Sequence, residues 1–310
     1  MEIIALHLWM LVPAMALEVF LNPCWNRAHP VRFMGKLIDF VDKTLNKPPR
    51  RLLRGIVAMG ILLGVSSAIS WILLILPLSP FIEIAVGCIL LAQRSLIDHI
   101  QAVINTLTDH GVVAARATVS TVVGRDTETM DESHISRAAI EACAEGFLDG
   151  FIAPAFWLIV GGLPGIIIYK MINTADSMIG HLNEKYKEFG WAAAKIDDLA
   201  NYLPARLAFF FIALSGGSLF TSTRHAIKES RLQPSPNAGW PEWAMAASLH
   251  IKLSGPRSYE SYVVNAPWIN EFGRENINRD DITEAILIIR RAWFLFLCHI
   301  VVFAIVLSLL

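Results

Sequence analysis

Three apolar runs, Ile3 to Leu21, Gly55 to Leu78 and Ala292 to Leu310, constrain this chain more than any other feature. Each is close to or above the ~20 residues a helix needs to cross ~30 Å of hydrocarbon at ~1.5 Å per residue. A chain with three such runs folds around a bilayer, where backbone groups must satisfy one another within helices. Composition agrees: 55% of the 310 residues are hydrophobic and 17% charged, against ~25% charged in soluble domains. Mean hydropathy is +0.50. The 26 basic and 27 acidic residues nearly cancel, which argues against a nucleic-acid partner and against an acidic tail. Ile3 to Leu21 has no basic stretch before it and no small-residue cleavage site after it, so it reads as a retained span.

Pro80 to Ile97 is expected to be a fourth span, with Glu83 inside it and Arg94 near enough to one end to reach the head groups. Two other apolar stretches are interrupted. Phe151 to Ile168 contains Pro154, Gly161, Gly162, Pro164 and Gly165, and the short Leu207 to Phe220 ends on Gly216 and Gly217. Broken backbone at membrane depth survives only where protein or a wet cavity satisfies the freed groups, so both read as re-entrant elements. The expected fold is all-α and polytopic, a single membrane-embedded domain over 1–310 with about four spans and two broken segments. Arg27, Arg32, Lys36, Lys43, Lys47, Arg50, Arg51 and Arg54 outnumber Asp39 and Asp42 between the first two spans, which places that connection in the cytoplasm. The polar regions 98–150 and 169–291 then face the same compartment. Helical spacing of Leu96, Ile100, Val103, Ile104 and Leu107 predicts one helix after the fourth span, and a second begins near Asp131.

No phosphate loop, GxGxxG, HExxH or GxSxG occurs, and Cys24, Cys88, Cys143 and Cys298 are isolated, which argues against a structural zinc. What remains is a series of polar clusters, and ionisable groups near a membrane are costly enough to be functional candidates. In Gly124-Arg125-Asp126-Thr127, Arg125 either clamps a phosphate or carboxylate, with Asp126 holding a cation or orienting it, or the two pair to fix the loop. Glu141, Glu145 and Asp149 fall at i, i+4 and i+8 on one helical face, although Gly146 is positioned to end the helix before Asp149. They either surround a cation such as Mg²⁺ or form a solvated face with Arg137 paired to Glu141. Lys170, Asn173, Asp176 and Ser177 share a face just after the first broken segment, a combination suited to polyphosphate. Asp197 lies one turn before Asn201, with Asp198 between them and Arg206 following. This group is either a metal or phosphate patch or a solvated face. Ser235-Pro236-Asn237-Ala238-Gly239 is a turn leading into a helix, and its side chains either bind substrate or merely make the turn. His29 and Arg32 lie beyond the first span.

Together, several ordered strings are highly specific: His29-Pro30-Val31-Arg32, Ala115-Arg116, Val123-Gly124-Arg125-Asp126-Thr127, Ala144-Glu145, Asp149-Gly150, and Ala153-Pro154. They continue as Tyr169-Lys170, Asn173-Thr174, Asp176-Ser177-Met178, Asp197-Asp198-Leu199, Asn201-Tyr202, Pro204-Ala205-Arg206-Leu207 and Ser235 to Gly239. From about residue 18 to 260 the chain resembles the adenosylcobinamide-phosphate synthase family of cobalamin biosynthesis, the CobD/CbiB membrane proteins. The resemblance implies a ligase that joins a carboxyl of adenosylcobyric acid to the amine of aminopropanol phosphate or ethanolamine phosphate, with ATP and Mg²⁺. It implies catalytic roles for Arg125, Asp126, Lys170 and Asp176, and metal ligation by Glu141, Glu145, Asp149 and Asp197, with Asp176 a further Mg²⁺ ligand. Substrate binding falls to His29, Arg32, Thr127, Asn173, Ser177, Asp198, Asn201, Arg206, Ser235 and Asn237. It further implies a multi-pass protein of the cell inner membrane with its site facing the cytoplasm. The implied partners are the corrinoid and amino-alcohol phosphate substrates, the lipid bilayer, and a second copy or later membrane enzymes of the same pathway. The chain departs from the family pattern at Gly146, where Asn is expected, at Phe147-Leu148, at Asn22, and at Ser254, where Gly is expected. The alternative is a non-catalytic membrane sensor of the related AmpE-like type.

Overall fold

The computed structural model describes residues 2–21, 29–229, 235–259 and 262–310; the departure at Asn22, and Cys24 and Arg27, lie outside them. Among these residues the architecture is helical, as expected, with one antiparallel hairpin. In chain order the helices are α1 (Glu2–Leu21), α2 (Pro30–Leu45), α3 (Arg51–Leu74), α4 (Ser79–Leu90), α5 (Gln93–Ser120) and α6 (Glu132–Phe147). A π-helical turn, Leu148–Ile152, runs into α7 (Ala153–Ile179). Then come α8 (Trp191–Ala200), α9 (Tyr202–Ser215), α10 (Leu219–Glu229), α11 (Gly239–Leu249), the strands β1 (Leu253–Tyr259) and β2 (Tyr262–Ile269), and α12 (Arg279–Leu309).

Among the described residues, five helical stretches are long and apolar enough to cross a membrane: Glu2–Leu21, Arg51–Leu74, Ser79–Ser120, Glu132–Ile179 and Arg279–Leu309. Three of them overlap the apolar runs Ile3 to Leu21, Gly55 to Leu78 and Ala292 to Leu310. Ser79–Ser120 agrees with the fourth span expected over Pro80–Ile97, although the stretch is interrupted where α4 ends at Leu90 and α5 starts at Gln93. The segment expected to be re-entrant, Phe151–Ile168, belongs to a stretch of helix long enough to span. It is broken internally, as expected, at Gly162, where two helical halves of α7 meet across a kink. Leu207–Phe220, by contrast, falls on the 14-residue α9 and the start of α10, separated by a turn at Gly216 and Gly217. The final helix begins at Arg279, well before the apolar run at Ala292, with Asp280 and Asp281 in its first turn.

The bend in α7 is at Gly162, whose φ of 57° and ψ of −146° leave the helical region. Only glycine takes that conformation easily, and a Cβ there would meet the His7 ring at 2.6 Å. Losing the helical bond between Leu163 and Ile159 leaves an amide and a carbonyl to be satisfied. His7 Nδ1 lies 3.1 Å from the Ile159 carbonyl, and the Glu83 carboxylate accepts the Leu163 N–H. Two ionisable residues that look expensive inside apolar helices thus complete the backbone of a third helix.

The described residues gather into two compact units. The first comprises Met1–Ala92, Asp149–Asn201 and His299–Leu310, and the second Gln93–Leu148 and Tyr202–Cys298. In the first, α7 packs against α1, α2, α3, α4 and α8. In the second, α11 packs against α6, α9, α10 and the hairpin. Serines in α3 bond back to their own helix, Ser66 Oγ to Leu62 O at 2.9 Å and Ser70 Oγ to Ser66 O at 2.7 Å.

Candidate functional site

The predicted polar residues separate into a group in the first unit and a group in the second. In the first unit they are placed by the C-terminal half of α7, by α8 and by the π-helical turn. That turn widens the helix, and the carbonyls of Asp149 and Gly150 accept from side chain and backbone neighbours, Lys170 Nζ at 3.2 Å and Ala92 N at 2.9 Å. The helix therefore does not end at Gly146, and Asp149 sits on the turn rather than on a regular continuation of the Glu141–Glu145 face. Lys170 is anchored against this carbonyl and lies within electrostatic reach of Asp149 and Asp197.

One turn further along α7, Asn173 is buried, and Asp176 lies near the Asp149 and Asp198 carboxylates. Ser177, on the same stretch, donates to the Asn173 carbonyl at 2.8 Å. From α8, Asp197 Oδ2 accepts Asn201 Nδ2 at 3.0 Å, and Asn201 Oδ1 accepts the buried Tyr169 hydroxyl at 3.1 Å. The Asn173 amide also approaches Asp197. Even so, Asp197 Oδ1 is buried without a partner of hydrogen-bonding geometry. Burial, followed by the neighbouring Asp176 charge, raises the Asp197 pKa to about 7. Asp198 is paired with Lys195 at 2.9 Å, the solvated face that adjacent aspartates usually make.

His29 caps α2, accepting Val31 N at Nδ1 over 3.3 Å, and its ring also bonds to the Ile89 backbone. Burial lowers its pKa, the Ile89 bond opposes that, and the Lys170 charge lowers it further, which brings His29 into the surroundings of the same cluster. Arg32 is exposed on α2. A second network ties α2 to the chain leading into α8. Asp42 accepts Asn46 at 2.9 Å, Lys185 at 2.9 Å and the Tyr186 hydroxyl at 3.1 Å. Burial works to raise the Asp42 pKa, but the hydrogen bonds from Asn46, Lys185 and Tyr186, with the Lys185 charge, outweigh it and hold the pKa low.

In the second unit, the Arg125–Asp126 pair, one of the two alternatives for that loop, does not form. Arg125 Nη2 binds Glu141 Oε2, while Asp126 Oδ1 accepts Glu128 N at 3.0 Å. Glu141, predicted as a metal ligand, has its other oxygen taken by Ser254 N at 2.7 Å. With a guanidinium on one side and a backbone amide on the other, its charge is already matched. Glu145 is half-buried on the same helix, and Thr127 is buried. Ser254 holds its bond to Glu141 with φ at +64°, which accounts for glycine being expected there. Arg206 is stacked between Tyr202, 3.9 Å from the ring centroid, and Trp240, 4.7 Å away, and donates to Asn237 Oδ1 at 2.9 Å. Ser235 Oγ accepts the amides of Asn237 and Ala238, each at 3.2 Å, and so shapes the turn that presents Asn237.

Among the described residues, no three His, Cys, Asp or Glu side chains converge as a preformed metal cage. The fit of Asp149, Asp176 and Asp197 to a cation is of another kind. Asp149 and Asp197 both act on the half-buried Lys170, Asp176 neighbours both of these carboxylates, and one carboxylate oxygen is orphaned. Mg²⁺ binds through one or two carboxylates while keeping several waters, so such a set suffices for it. Sequence reasoning missed Tyr169 as the holder of Asn201, and His7 and Glu83 as the groups that allow α7 to bend. Tyr169 adjoins Lys170 in the sequence, but only the return of α8 alongside α7 makes its hydroxyl useful.

The family model described as CobD/Cbib protein matches residues 11–289. The chain is 45% identical over 285 residues to cobalamin biosynthesis protein CobD of Brucella suis biovar 1 (strain 1330), covering 85% of this chain and 86% of that one. It is 45% identical over 282 residues to the CobD of a Sinorhizobium species, covering 85% and 87%. Against the CobD of Rhodobacter capsulatus it is 43% identical over 247 residues, covering 78% and 79%. No solved structure matches. A family match along nearly the whole chain, with relatives this similar over most of their own length, makes this chain a member of the CobD/CbiB family.

Proposed function

We propose that this protein is the ligase of cobalamin biosynthesis that forms adenosylcobinamide phosphate, joining adenosylcobyric acid to aminopropanol phosphate or ethanolamine phosphate at the expense of ATP. The observation that carries the proposal is the cluster of Asp149, Lys170, Asp176 and Asp197, with its orphaned carboxylate oxygen and its half-buried cation. A carboxylate resists attack by an amine until a phosphoryl or nucleotidyl group activates it, and such transfer depends on positioning and on positive charge around the moving phosphate.

Asp197 and Asp149 would hold Mg²⁺, which would supply positive charge to the phosphates. Lys170, fixed by the Asp149 carbonyl, neutralises phosphate charge from a defined position. Asp176 takes the proton that the attacking ammonium must lose. Asn201, held by Tyr169, keeps Asp197 in place, and Asn173 and His29 line the surroundings of the same cluster. In the second unit Arg206 and Asn237 form a stacked cation and amide suited to a substrate carboxylate or amide. Arg125, held by Glu141, offers its remaining donors to an anion. The protein acts in the cell inner membrane with these groups on the cytoplasmic side, where ATP is available.

The test is a reaction with purified full-length protein in detergent, containing adenosylcobyric acid, aminopropanol phosphate, ATP and Mg²⁺. The proposal expects an amide product and nucleotide turnover in fixed ratio. Folded protein that yields neither would leave the non-catalytic sensor as the better reading. Asp126→Ala should also lose turnover while remaining folded.

A further inference from the structure

Arg290 and Arg291 stand directly before the apolar run Ala292 to Leu310, where the basic end of a span meets the lipid head groups. Beside them, wholly within the second unit, a groove of about 490 Å³ opens between α9 and α12, inside the ~300–1,000 Å³ range of small-molecule pockets. Leu214 lines it from the end of α9. Leu287, Arg290, Arg291 and Phe294 line it from α12, and their three- and four-residue spacing puts them on one helical face. The two helices meet through Phe211 and Phe296, whose rings stand edge to face at 5.2 Å. The walls of the groove are nevertheless uncovered: Phe294 is 60% exposed, Leu214 37% and Leu287 36%.

The rim of this groove has positive charge to spare. Arg291 reaches Glu284 at 3.5 Å, a loose pair between two half-exposed side chains. Among the described residues Arg290 makes no hydrogen bond or ion pair, and none of the side chains lining the groove is acidic. An occupant must therefore join an anion that accepts from guanidinium to an apolar body that covers leucine and phenylalanine. A free phosphate leaves the apolar walls wet. A zwitterionic lipid brings a quaternary ammonium against the arginines, and a second copy seated symmetrically brings the same two arginines against each other. We infer that the groove between α9 and α12 is a binding site for an anionic phospholipid, with its phosphodiester on Arg290 and Arg291 and an acyl chain along Leu214, Leu287 and Phe294. The site is independent of the amide-forming reading.

Native mass spectrometry of delipidated full-length protein in detergent tests the site by titration with phosphatidylglycerol, phosphatidylcholine of the same acyl chains, and inorganic phosphate. The first phosphatidylglycerol should bind at least tenfold more tightly than phosphatidylcholine, and inorganic phosphate should not compete with it. R290Q/R291Q should reduce phosphatidylglycerol to the affinity of phosphatidylcholine. L214W, which fills the groove and keeps both charges, should weaken phosphatidylglycerol severalfold. K36Q/K47Q removes two exposed cations of the first unit and should leave that first affinity unchanged. Because Arg290 and Arg291 are exposed, R290Q/R291Q decides the matter even if L214W fails to fold. Equal affinity for the two lipids, or phosphatidylglycerol binding untouched by R290Q/R291Q, would overturn the inference. So would an equal loss in K36Q/K47Q, which would mean that the lipid follows net charge alone. Competition by inorganic phosphate would leave an anion site without a lipid, and a dimer that R290Q/R291Q or L214W dissociates would make the groove an interface between copies; either result also overturns it.

Discussion

Asp197 is charged only at a cost in the ion-free protein, because burial and Asp176 both oppose ionisation and its pKa rises to about 7. Its unfolded value is ~3.9. A carboxyl that is easier to keep neutral when folded stabilises the fold fully below the unfolded value, and that contribution disappears as pH rises through about 7. Ion-free protein in EDTA should therefore lose thermal stability between pH 5 and pH 8, and Asp197→Asn should flatten that slope. A variant whose melting temperature follows pH as the parent's does would show that Asp197 is not the group responsible. Added Mg²⁺ should bind more tightly as pH rises through the same interval, since only the ionised carboxylate is a ligand. The residue types of this cluster were legible in the sequence, since Lys170, Asn173 and Asp176 recur at helical spacing and Asp197 stands one turn from Asn201. Their partners were not. Arg125 had an acid at the adjacent position, yet it reaches Glu141, because β1 brings the Ser254 amide to the other side of that carboxylate and fixes it there.

At the level of elements, the bend in α7 links three helices through two polar contacts. The account predicts that His7→Leu and Glu83→Leu each destabilise the protein by about 1–3 kcal/mol, the usual cost of leaving a buried backbone group unpaired. Glu83→Gln, whose carbonyl can still accept the Leu163 N–H, should cost less than Glu83→Leu. Chemical denaturation in detergent measures the differences, and equal stability of the Leu and Gln variants would remove Glu83 from this role. Gly146 has a packing explanation of the same kind. A Cβ at this position would lie 2.5 Å from Leu96 Cδ1, so the glycine lets α5 approach α6. Gly146→Asn, the family's expected residue, should cost about 1–3 kcal/mol through overpacking. Leu96→Ala in the same protein should restore part of the loss, and strictly additive effects in the double variant would contradict the contact. Apolar runs identified the spans because length and hydropathy are properties of one segment. Whether Phe151–Ile168 bends or terminates depended on His7 and Glu83, which belong to other segments and carry no signal near the break.

For the whole molecule, the fold class was legible and the grouping was not. The sequence pointed to helices in a bilayer, and its family strings marked the residues that now form polar clusters. It did not indicate that these residues divide between two compact units, because that division follows from helix packing rather than from composition. The central claim is that the acidic cluster around Lys170 serves catalysis at the expense of stability, since neighbouring carboxylates are tolerated there without a protein partner for every oxygen. The most direct measurement is the amide-forming turnover of Asp176→Asn at saturating substrates, alongside its melting temperature in the ion-free state. The account predicts at least a hundredfold lower kcat in a protein that melts no lower than the parent, because removing one like charge relieves repulsion while removing the base. Turnover equal to the parent's in a folded Asp176→Asn protein would contradict it.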